Sequence, residues 1–369
     1  MSFFNFGPKS KLGIDIGTAS IKIVELEDSN RPKLKNYGLF ELKSEDEAIY
    51  ASSHSLGAKV ANLSDDDIVW GIKQTIKRAG MTTKDVVASI QSFSTFSTVL
   101  TLPYLSEQDV AKAIPFEAKK YIPFPLSEVN IDWSIINAIE PPTTFGGTSK
   151  SGGGQTNRTP LVEIFLVAVP KDEAMKYQNI IKQAGLNLRA LELENSALIR
   201  AIIGNDLSPS AIVNIGGRST TVLIVDKGVE RQSHNYEVGG FEISRSIARS
   251  LNISMNRAEE LKRSFGLKKV DNNTVRQVMS SLIDLIVFET RKTIHNYEDT
   301  KTTKISKIFL VGGLTNMPGF YEYFKEKLQR DVAMGNATAR VVLPLPLEPL
   351  RPELNTTFSV ALGLAMRKL

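Results

Sequence analysis

Two glycine-rich turns, each between two apolar stretches, give the hydrophobic pattern of this chain its repeat. In KLGIDIGTASIKIVELE, residues 11–27, apolar positions alternate as in a half-buried strand, yet Asp15 stands inside the run, just before a turn of small residues. The stretch AIVNIGGRSTTVLIVD, residues 211–226, follows the same plan with Asn214 at the equivalent place. The repeat predicts two related β-hairpins, one in each half of the chain.

Helical patterns accompany strand patterns along the chain. Residues 64–80 predict a helix, because Ser64 can cap it, three aspartates occupy its first turn and Gly80 can end it. Residues 170–185 repeat this logic directly after an apolar strand at 162–169. Strands followed by helices in two copies predict an α/β protein with two similar domains and a ligand cleft between them.

The order of these patterns predicts the domain bounds. The first domain is expected over residues 1–203, with an inserted small α+β subdomain at about 84–166 and a C-terminal helix at 355–369 that completes it. The second domain is expected over 204–349, with an inserted helical subdomain at about 241–303. The chain is therefore interpreted as a duplication with one insertion in each half.

Composition excludes several classes of function. The chain has no cysteine, so disulfides and thiolate chemistry are excluded, and its histidines, His54, His234 and His295, lack the spacing of a metal site or a catalytic triad. The net charge of +5 is small against 45 basic and 40 acidic side chains, which gives little support to a nucleic-acid or membrane surface. No run approaches the roughly 20 apolar residues of a membrane span, and the first residues lack a signal-peptide pattern, so a cytoplasmic protein is predicted.

The glycine turns favour phosphate binding. A tight turn of glycine and small hydroxyl residues points several backbone N–H groups into one concavity, and two such turns that face each other would clamp a chain of phosphates. Asp15 would then hold Mg²⁺, directly or through water, against those phosphates. An ordinary turn remains the alternative interpretation for either hairpin taken alone.

Five stretches resemble known families. GIDIGTASIKIVEL, VNIGGRSTTVLIVD and FLVGGLTNMPGFYEYF resemble, in this order, the two phosphate motifs and the adenosine motif of the actin-like ATPase superfamily. FEAKKYIPFPLSEVNIDWSII (116–136) and LELENSALIRAI (191–202) more narrowly resemble the PilM family of type IV pilus assembly. The resemblance spans nearly the whole chain. It implies an actin-like (ribonuclease H-like) duplication of two α/β domains around a nucleotide cleft, with ATP and Mg²⁺ as cofactors.

The resemblance also implies roles for particular residues. Lys22 matches a lysine that reaches the phosphates, with a solvated strand lysine as the alternative, and Glu194 matches the acidic residue that faces the metal or the attacking water, which makes it the catalytic candidate. Asp15 and, through water, Asn214 would hold the metal. The nucleotide-binding set is Asp15, Gly17, Thr18, Ala19, Ser20, Lys22, Asn214, Gly216, Gly217, Arg218, Ser219, Thr220, Gly239, Gly240, Glu259, Lys262, Gly312, Gly313 and Leu314.

Two positions in this set carry an open question. Glu259 and Lys262 match the pair that borders adenine and ribose, but Glu259 also stands three residues after Asn256 and could be half of a capping box. Asn214 departs from the superfamily, where most members have a second aspartate. An amide has no negative charge and cannot abstract a proton, so at most a weak ATPase is expected.

The resemblance implies an ATP-binding cytoplasmic scaffold of the pilus inner-membrane platform that holds the N-terminal cytoplasmic segment of PilN. Other platform proteins and assembly ATPases are implied partners, nucleic acid is not, and the membrane would be reached only through partners. Phe116, Tyr121, Ile122 and Phe124 are the candidate partner-binding residues, or else part of the subdomain's core. A small-molecule kinase of the same fold and an FtsA-like, filament-forming, membrane-associated division protein stay open as alternatives.

Overall fold

The computed structural model describes residues 10–41, 64–103, 107–139, 161–268 and 273–369. Within these ranges the strands are β1 (Ser10–Ile16), β2 (Ser20–Glu27), β3 (Lys33–Glu41), β4 (Asp85–Ile90), β5 (Phe96–Pro103), β6 (Val129–Ile139), β7 (Leu161–Pro170), β8 (Asn187–Leu193), β9 (Ser210–Ile215), β10 (Thr220–Asp226), β11 (Val229–Tyr236), β12 (Lys307–Val311) and β13 (Val332–Met334). The helices are α1 (Asp65–Ala79), α2 (Glu107–Ala118), α3 (Lys171–Gln183), α4 (Glu194–Leu198), α5 (Gly240–Leu251), α6 (Met255–Phe265), α7 (Asn273–Lys301), α8 (Phe320–Leu328), α9 (Arg351–Thr357) and α10 (Ser359–Ala365).

Two of the sheets have the same topology. The first has the order β3-β2-β1-β4-β8 and the second the order β11-β10-β9-β12-β13. In each, a three-stranded antiparallel meander leads through its first strand into two parallel strands. This equivalence confirms the duplication that the two hairpin patterns predict.

The predicted helix at 64–80 is confirmed with its caps. The hydroxyl of Ser64 accepts a hydrogen bond from the backbone N–H of Asp67 at 3.2 Å. Gly80 ends α1 in the left-handed conformation at φ +66°, which a residue without Cβ adopts at little cost. The helix predicted at 170–185 is α3, in which Ala174, Tyr177 and Ile181 are buried.

The third sheet corrects one predicted boundary. Its order is β5-β7-β6 and all of its pairs are antiparallel. The strand β4, which begins at Asp85, pairs with β1 and β8 of the first sheet instead. The predicted start of the insertion at about residue 84 is therefore one strand too early, because an apolar pattern does not show which sheet a strand joins. In the second domain, α5, α6 and α7 occupy the region predicted as a helical insertion.

The helix α10 fixes the position of the cleft wall in the first domain. It packs between β1 and α4, so closely that a Cβ atom at Gly13 would overlap the backbone of Ala361 and one at Gly363 would overlap the backbone of Ala197. All of its residues are buried. Among the described residues, no helix is both long enough and apolar enough to cross a bilayer.

A buried carboxylate ties the end of α7 to the segments that lead into β12 and β13. Glu298 is 3% exposed and accepts hydrogen bonds from both terminal nitrogens of Arg330, at 2.7 and 3.0 Å. The backbone N–H of Ile305 at 2.9 Å and the ammonium of Lys304 at 3.2 Å complete its shell. The bonds from Arg330 are the largest cause that lowers the pKa of Glu298 to about 2.

Glu298→Gln is expected to lower the free energy of unfolding by about 2 to 3 kcal/mol at pH 7, because it leaves Arg330 without its anion. The ordinary pKa of the carboxyl is 4.5 and the folded value about 2. The advantage of the wild type should therefore be complete above about pH 4.5 and disappear as the pH falls to about 2. Urea melts from pH 3 to 8 measure this.

Lys304→Ala is the matched control, since that lysine side chain is 81% exposed and its pair with Glu298 should contribute little. If Glu298→Gln and Lys304→Ala lose the same small amount at pH 7, the buried pair does not have the role assigned to it.

Candidate functional site

A cavity of about 1080 Å³ lies between the two domains. Its wall combines strand ends, turns and helix starts from both of them, as the repeat predicts for a cleft. Most of the predicted nucleotide-binding residues and the catalytic candidate line it, namely Asp15, Gly17, Thr18, Ala19, Ser20, Lys22, Glu194, Asn214, Gly216, Gly217, Ser219, Gly240, Glu259, Lys262, Gly312, Gly313 and Leu314.

The two hairpin turns are built alike and face each other. In the first, the N–H of Gly17 donates to the carbonyl of Ser20 at 3.0 Å, and in the second the N–H of Gly216 donates to the carbonyl of Ser219 at 2.9 Å. A Cβ atom at Gly217 would overlap the side chain of Ala19, so the turns approach to the limit that glycine allows. Together they form one concavity at the base of the cleft.

Asp15 and Asn214 occupy equivalent positions with different partners. Asp15 pairs across its hairpin with Lys22, and Asn214 pairs across the other with Thr221. Asp15 is 5% exposed, and its Oδ2 lies 3.1 Å from the ammonium of Lys22. The Lys22 side chain is 15% exposed, so the alternative of a solvated strand lysine is wrong. The hydroxyl of Ser89, on β4, donates to Oδ1 of Asp15 at 3.4 Å.

Glu194 stands at the first position of α4, against Asn214 of the other domain. The amide nitrogen of Asn214 donates to Oε1 of Glu194 at 2.8 Å. Burial raises the pKa of Glu194 to about 7 and the charge of Asp15 adds to this, while Lys22, Asn214 and the backbone N–H of Ser92 oppose it. A carboxyl group with a pKa near 7 can accept or release a proton at neutral pH.

The donor set fits a magnesium ion shared with a ligand. Among the described residues, no group of three or more histidine, cysteine, aspartate or glutamate side chains could hold a metal, so a cage made by protein alone is absent there. Mg²⁺ in nucleotide sites typically takes one or two carboxylates, phosphate oxygens and several waters. Asp15 supplies one carboxylate, and the amide oxygen of Asn214 supplies an acceptor for a bound water.

The helix α6 brings a second charged pair to the cleft. The ammonium of Lys262 lies 2.6 Å from Glu259 and donates to the carbonyl of Gly240 at 3.0 Å. Ser254 is the N-cap of α6, with its hydroxyl accepting from the N–H of Arg257. The capping-box alternative for Glu259 is therefore wrong.

Glu259 also belongs to a chain of polar contacts that crosses the mouth of the cleft. Arg263 donates to Glu259 at 2.8 Å and to Glu41, the last residue of β3, at 2.9 Å. The hydroxyl of Ser244 donates to the other oxygen of Glu259 at 2.5 Å. One side of this chain lies in the second domain and the other in the first.

The end of β12 forms the remaining part of the wall. Gly312 has φ +94°, and a Cβ atom there would overlap the backbone of Ile215. Only glycine combines this conformation with such a close approach to β9. The following turn at Gly313–Asn316 therefore presents its backbone to the cavity.

Three residues of the predicted nucleotide set are not among those that line the cavity. Thr220 is fully buried and its hydroxyl donates to the carbonyl of Val238 at 2.7 Å. The guanidinium of Arg218 lies 5.5 Å from the ring centroid of Phe241. A Cβ atom at Gly239 would stand 2.8 Å from the backbone nitrogen of Arg218, so this glycine supports the turn from the outside. All three contribute to the shape of the second turn.

Sequence reasoning missed several residues of the cleft. Thr221 lies seven positions after Asn214, as Lys22 lies seven after Asp15, so the repeat itself contained the signal. Ser89 bonds to Asp15, and three residues of the segment between β4 and β5, Gln91, Ser92 and Phe93, line the cavity. They have no such signal in the sequence, because pairing between strands far apart in the chain brings them to the cleft.

The candidate partner residues divide into buried and exposed ones. Ile122 is 7% exposed and belongs to the core of the inserted subdomain, whereas Phe116, Tyr121 and Phe124 are 77%, 51% and 41% exposed. A second cavity of about 640 Å³ is lined by Lys119, Ile122, Pro123, Phe124, Pro125 and Leu126. The structure thus leaves three aromatic rings at the surface, and one of them, Phe124, lines this depression.

Curated relatives match parts of the chain. The ethanolamine utilization protein EutJ of Escherichia coli (strain K12) is 27% identical over 149 residues, which are 40% of this chain and 48% of that protein. The cell division protein FtsA of Enterococcus faecalis (strain ATCC 700802 / V583) is 21% identical over 189 residues, 45% of this chain and 42% of that protein. The chain thus spans a little under half the length of the curated relatives it matches.

Solved structures match over nearly the full length. A PilM–PilN type IV pilus biogenesis complex has a TM-score of 0.76 and 19% identity, covering 97% of this chain and 98% of the matched one. MreB5 of Spiroplasma citri bound to AMPPNP has a TM-score of 0.50 and 14% identity, covering 90% and 94%. These likenesses confirm the actin-like fold.

The family model described as type IV pilus assembly protein PilM matches residues 13–369, which include both hairpins, the inserted sheet and the second domain. The chain therefore belongs to the PilM family of type IV pilus assembly proteins.

Proposed function

We propose that this chain is an ATP-binding scaffold on the cytoplasmic side of the type IV pilus inner-membrane platform, where it holds the N-terminal cytoplasmic segment of PilN. One observation carries the nucleotide half of the proposal: both small-residue turns, the Asp15–Lys22 pair and the Glu259–Lys262 pair line a single cavity between the domains. The fold shared with MreB5 of Spiroplasma citri, which was solved with AMPPNP, supports it.

Different residues of the cleft would bind different parts of the nucleotide. The N–H groups and hydroxyls of the two turns donate to phosphate oxygens, and Lys22 offers a positive charge at the same end. A magnesium ion held by Asp15 and, through water, by Asn214 would neutralise part of the phosphate charge. The glycine backbone after β12 and the Glu259–Lys262 pair leave room for a flat base and its ribose.

The same geometry explains why hydrolysis should be weak. Asn214 donates its amide N–H to Glu194, which occupies one oxygen of this catalytic candidate, and Asn214 cannot take up a proton itself. The second turn therefore supplies shape and hydrogen bonds without negative charge. Nucleotide would stabilise the arrangement of the two domains more than it would drive a cycle.

The inserted subdomain carries the partner half of the proposal. Phe116, Tyr121 and Phe124 offer large exposed rings, and Phe124 lines an apolar depression; exposed aromatic rings and apolar depressions are features of anchor sites for peptides. PilN is the partner in the solved complex that this fold matches over 97% of its length. Other platform proteins and assembly ATPases are proposed to bind elsewhere on the surface, and the membrane to be reached through these partners.

The first prediction concerns the metal-dependent part of the site. ATP with Mg²⁺ should bind with one-to-one stoichiometry, and Asp15→Ala should weaken this binding by about tenfold or more, equal to about 1.4 kcal/mol, because it removes the carboxylate at the turns. With EDTA the two proteins should differ little. Isothermal calorimetry measures both.

Asp85→Ala is the matched control, since Asp85 is an aspartate of the same sheet that pairs with Arg189 outside the cleft. Absence of heat and of a thermal shift for the wild type at millimolar Mg-ATP would show that the nucleotide site is wrongly assigned.

The second prediction concerns Asn214. Asn214→Asp should increase the dependence of ATP binding on Mg²⁺ and raise ATP turnover by about tenfold, because a negative charge near the metal stabilises the transition state. A tenfold gain requires the activation barrier to fall by only about 1.4 kcal/mol. The new charge beside Glu194 would raise the pKa of that residue further, so the gain should be larger at pH 8 than at pH 7. Adding Glu194→Gln should cancel it.

A phosphate-release assay with both variants decides the matter. A wild-type rate already in the range of roughly 1 to 100 per second, typical of kinases, would mean that Asn214 is no obstacle to the chemistry.

The third prediction concerns the partner surface. Phe116→Ser, Tyr121→Ser and Phe124→Ser should each weaken binding of a PilN N-terminal peptide by about fivefold or more, since an exposed aromatic anchor typically contributes over 1 kcal/mol. Binding of ATP should not change. Fluorescence anisotropy with a labelled peptide measures the affinity, and thermal melts verify the fold.

Phe288→Ser is the control, because Phe288 is a ring on α7 of the second domain whose exposure, 56%, lies within the range of the other three. If the three variants bind the peptide as the wild type and this control do, the partner surface lies elsewhere.

A further inference from the structure

The strand β11 carries an irregularity where it meets the inserted sheet. In its ladder with β10, Ile224 pairs with Gln232 and Val225 pairs with Glu230, so Arg231 is an extra residue between two regular pairs. Such a bulge changes the direction of neighbouring side chains. Two consecutive residues, Glu230 and Arg231, can therefore both bond to the inserted sheet, which regular alternation along a strand would not allow.

The two residues make different contacts with that sheet. Arg231 forms an ion pair with Glu163 of β7 at 3.0 Å, and Asn137 of β6 donates to the same carboxylate at 3.1 Å. Glu230, which is 4% exposed, accepts a hydrogen bond at 2.8 Å from the hydroxyl of Ser97 on β5. The inserted sheet is thus attached to the second domain through two of its strands, β5 and β7, and Asn137 of β6 supports the carboxylate on β7.

Glu230 also bonds to the first domain. The amide nitrogen of Asn195, a residue 1% exposed, donates to Oε2 of Glu230 at 3.1 Å. Ser233, on the same strand as Glu230, donates to Oε1 at 2.9 Å. Burial raises the pKa of Glu230, and the bonds from Ser97, Ser233 and Asn195 oppose that rise. Two domains and the inserted sheet therefore meet at one buried carboxylate whose donors, among the described residues, are neutral.

This network continues to the cleft. Asn195 directly follows Glu194 in α4. The hydroxyl of Ser92 donates to Oδ1 of Asn195 at 2.8 Å, and the backbone N–H of Ser92 bonds to the carboxylate of Glu194. Ser92 lines the cavity and begins the turn Ser92–Ser94, after which β5 starts at Phe96. One short connector thus links the phosphate end of the cleft to the first strand of the inserted sheet.

We infer that Glu230 is a joint that holds the inserted sheet in a set orientation and couples this orientation to what Glu194 contacts in the cleft. Hydrogen bonds from neutral donors, at a place where two domains and an inserted sheet meet, can exchange partners when one of these units moves. A ligand that displaces Glu194 moves Asn195 and Ser92 with it. Asn195 donates a hydrogen bond to Glu230, and Ser92 lies in the connector that leads into β5. The coupling between ATP and the PilN peptide rests on the proposed function, whereas the joint itself does not.

The first experiment measures the orientation directly. Since the chain has no cysteine, Glu128→Cys on the inserted subdomain and Glu326→Cys on the second domain, both exposed, can be spin-labelled specifically. Pulsed electron paramagnetic resonance should give one narrow distribution of distances between the two labels in the otherwise wild-type protein. Ser97→Ala should broaden it or add a second distance, and Ser97→Thr, which keeps the hydroxyl, should restore it.

Ser233→Ala is the matched control, because Ser233 donates to the same oxygen of Glu230 as Ser97 does. Ser233 lies on the same strand as Glu230, so its hydrogen bond does not connect the inserted sheet to the second domain. This variant should leave the distribution unchanged. Identical distributions for the wild type and Ser97→Ala, or equal broadening by both alanine variants, would overturn the joint.

The second experiment measures the coupling by calorimetry. Mg-ATP should change the affinity of the PilN peptide by about fivefold or more, and the peptide should change the affinity of Mg-ATP by the same factor. In Ser97→Ala this factor should fall below about twofold, although each ligand alone still binds.

A coupling factor of one in the wild type, or the same factor in Ser97→Ala, would refute the coupling. If neither ligand binds the wild type, the proposed function fails, and the distance distributions still decide whether the joint exists.

Discussion

The burial of the Asp15 carboxylate is the constraint on which the rest of the cleft depends. A charge that is 5% exposed needs a partner, and the antiparallel register of β1 and β2 brings Lys22 directly opposite. That register requires a tight turn between the strands, which is why residues 17–20 are small. The same geometry that satisfies the charge therefore also creates the concavity of backbone N–H groups. In the second domain the equivalent pair, Asn214 and Thr221, keeps the turn and omits the charge.

Local features of the fold were predictable because their causes are local. The caps at Ser64 and Gly80 and the two hairpins follow from neighbouring residues, and the structure confirms them. The sheet to which β4 belongs was not predictable, because pairing with β1 joins residues about 70 positions apart in sequence. The same holds for Ser89 beside Asp15 and for Ser97 beside Glu230. Their hydroxyls have no pattern of their own, and only the tertiary fold gives them partners.

The partner surface shows a different limit of sequence reasoning. The segment around Tyr121 was expected either to bind a partner or to fill a core, and the structure buries Ile122 in the core and leaves its neighbours exposed, so partner binding by those neighbours stays a prediction. Pro123, Pro125 and the end of α2 interrupt this segment. Its apolar residues therefore follow neither the helical nor the strand period, and the sequence does not show which side chains point inward.

The contacts between the domains differ greatly in strength from one end of the cleft to the other. At the mouth, Arg263 and Glu41 are 61% and 45% exposed, so their pair contributes at most about 1 kcal/mol and is weakened by salt. At the base, Asn214 and Glu194 bond across the boundary where they line the cavity, and Asn195 and Glu230 bond across it with little access to water, where a lost partner is costly. The exposed pair at the mouth therefore contributes less to the interface than the buried pair of Asn195 and Glu230. Since the connector to the inserted sheet starts at the base, that sheet is attached to the buried end of the interface, where Ser92 bonds to Asn195 and Asn195 to Glu230.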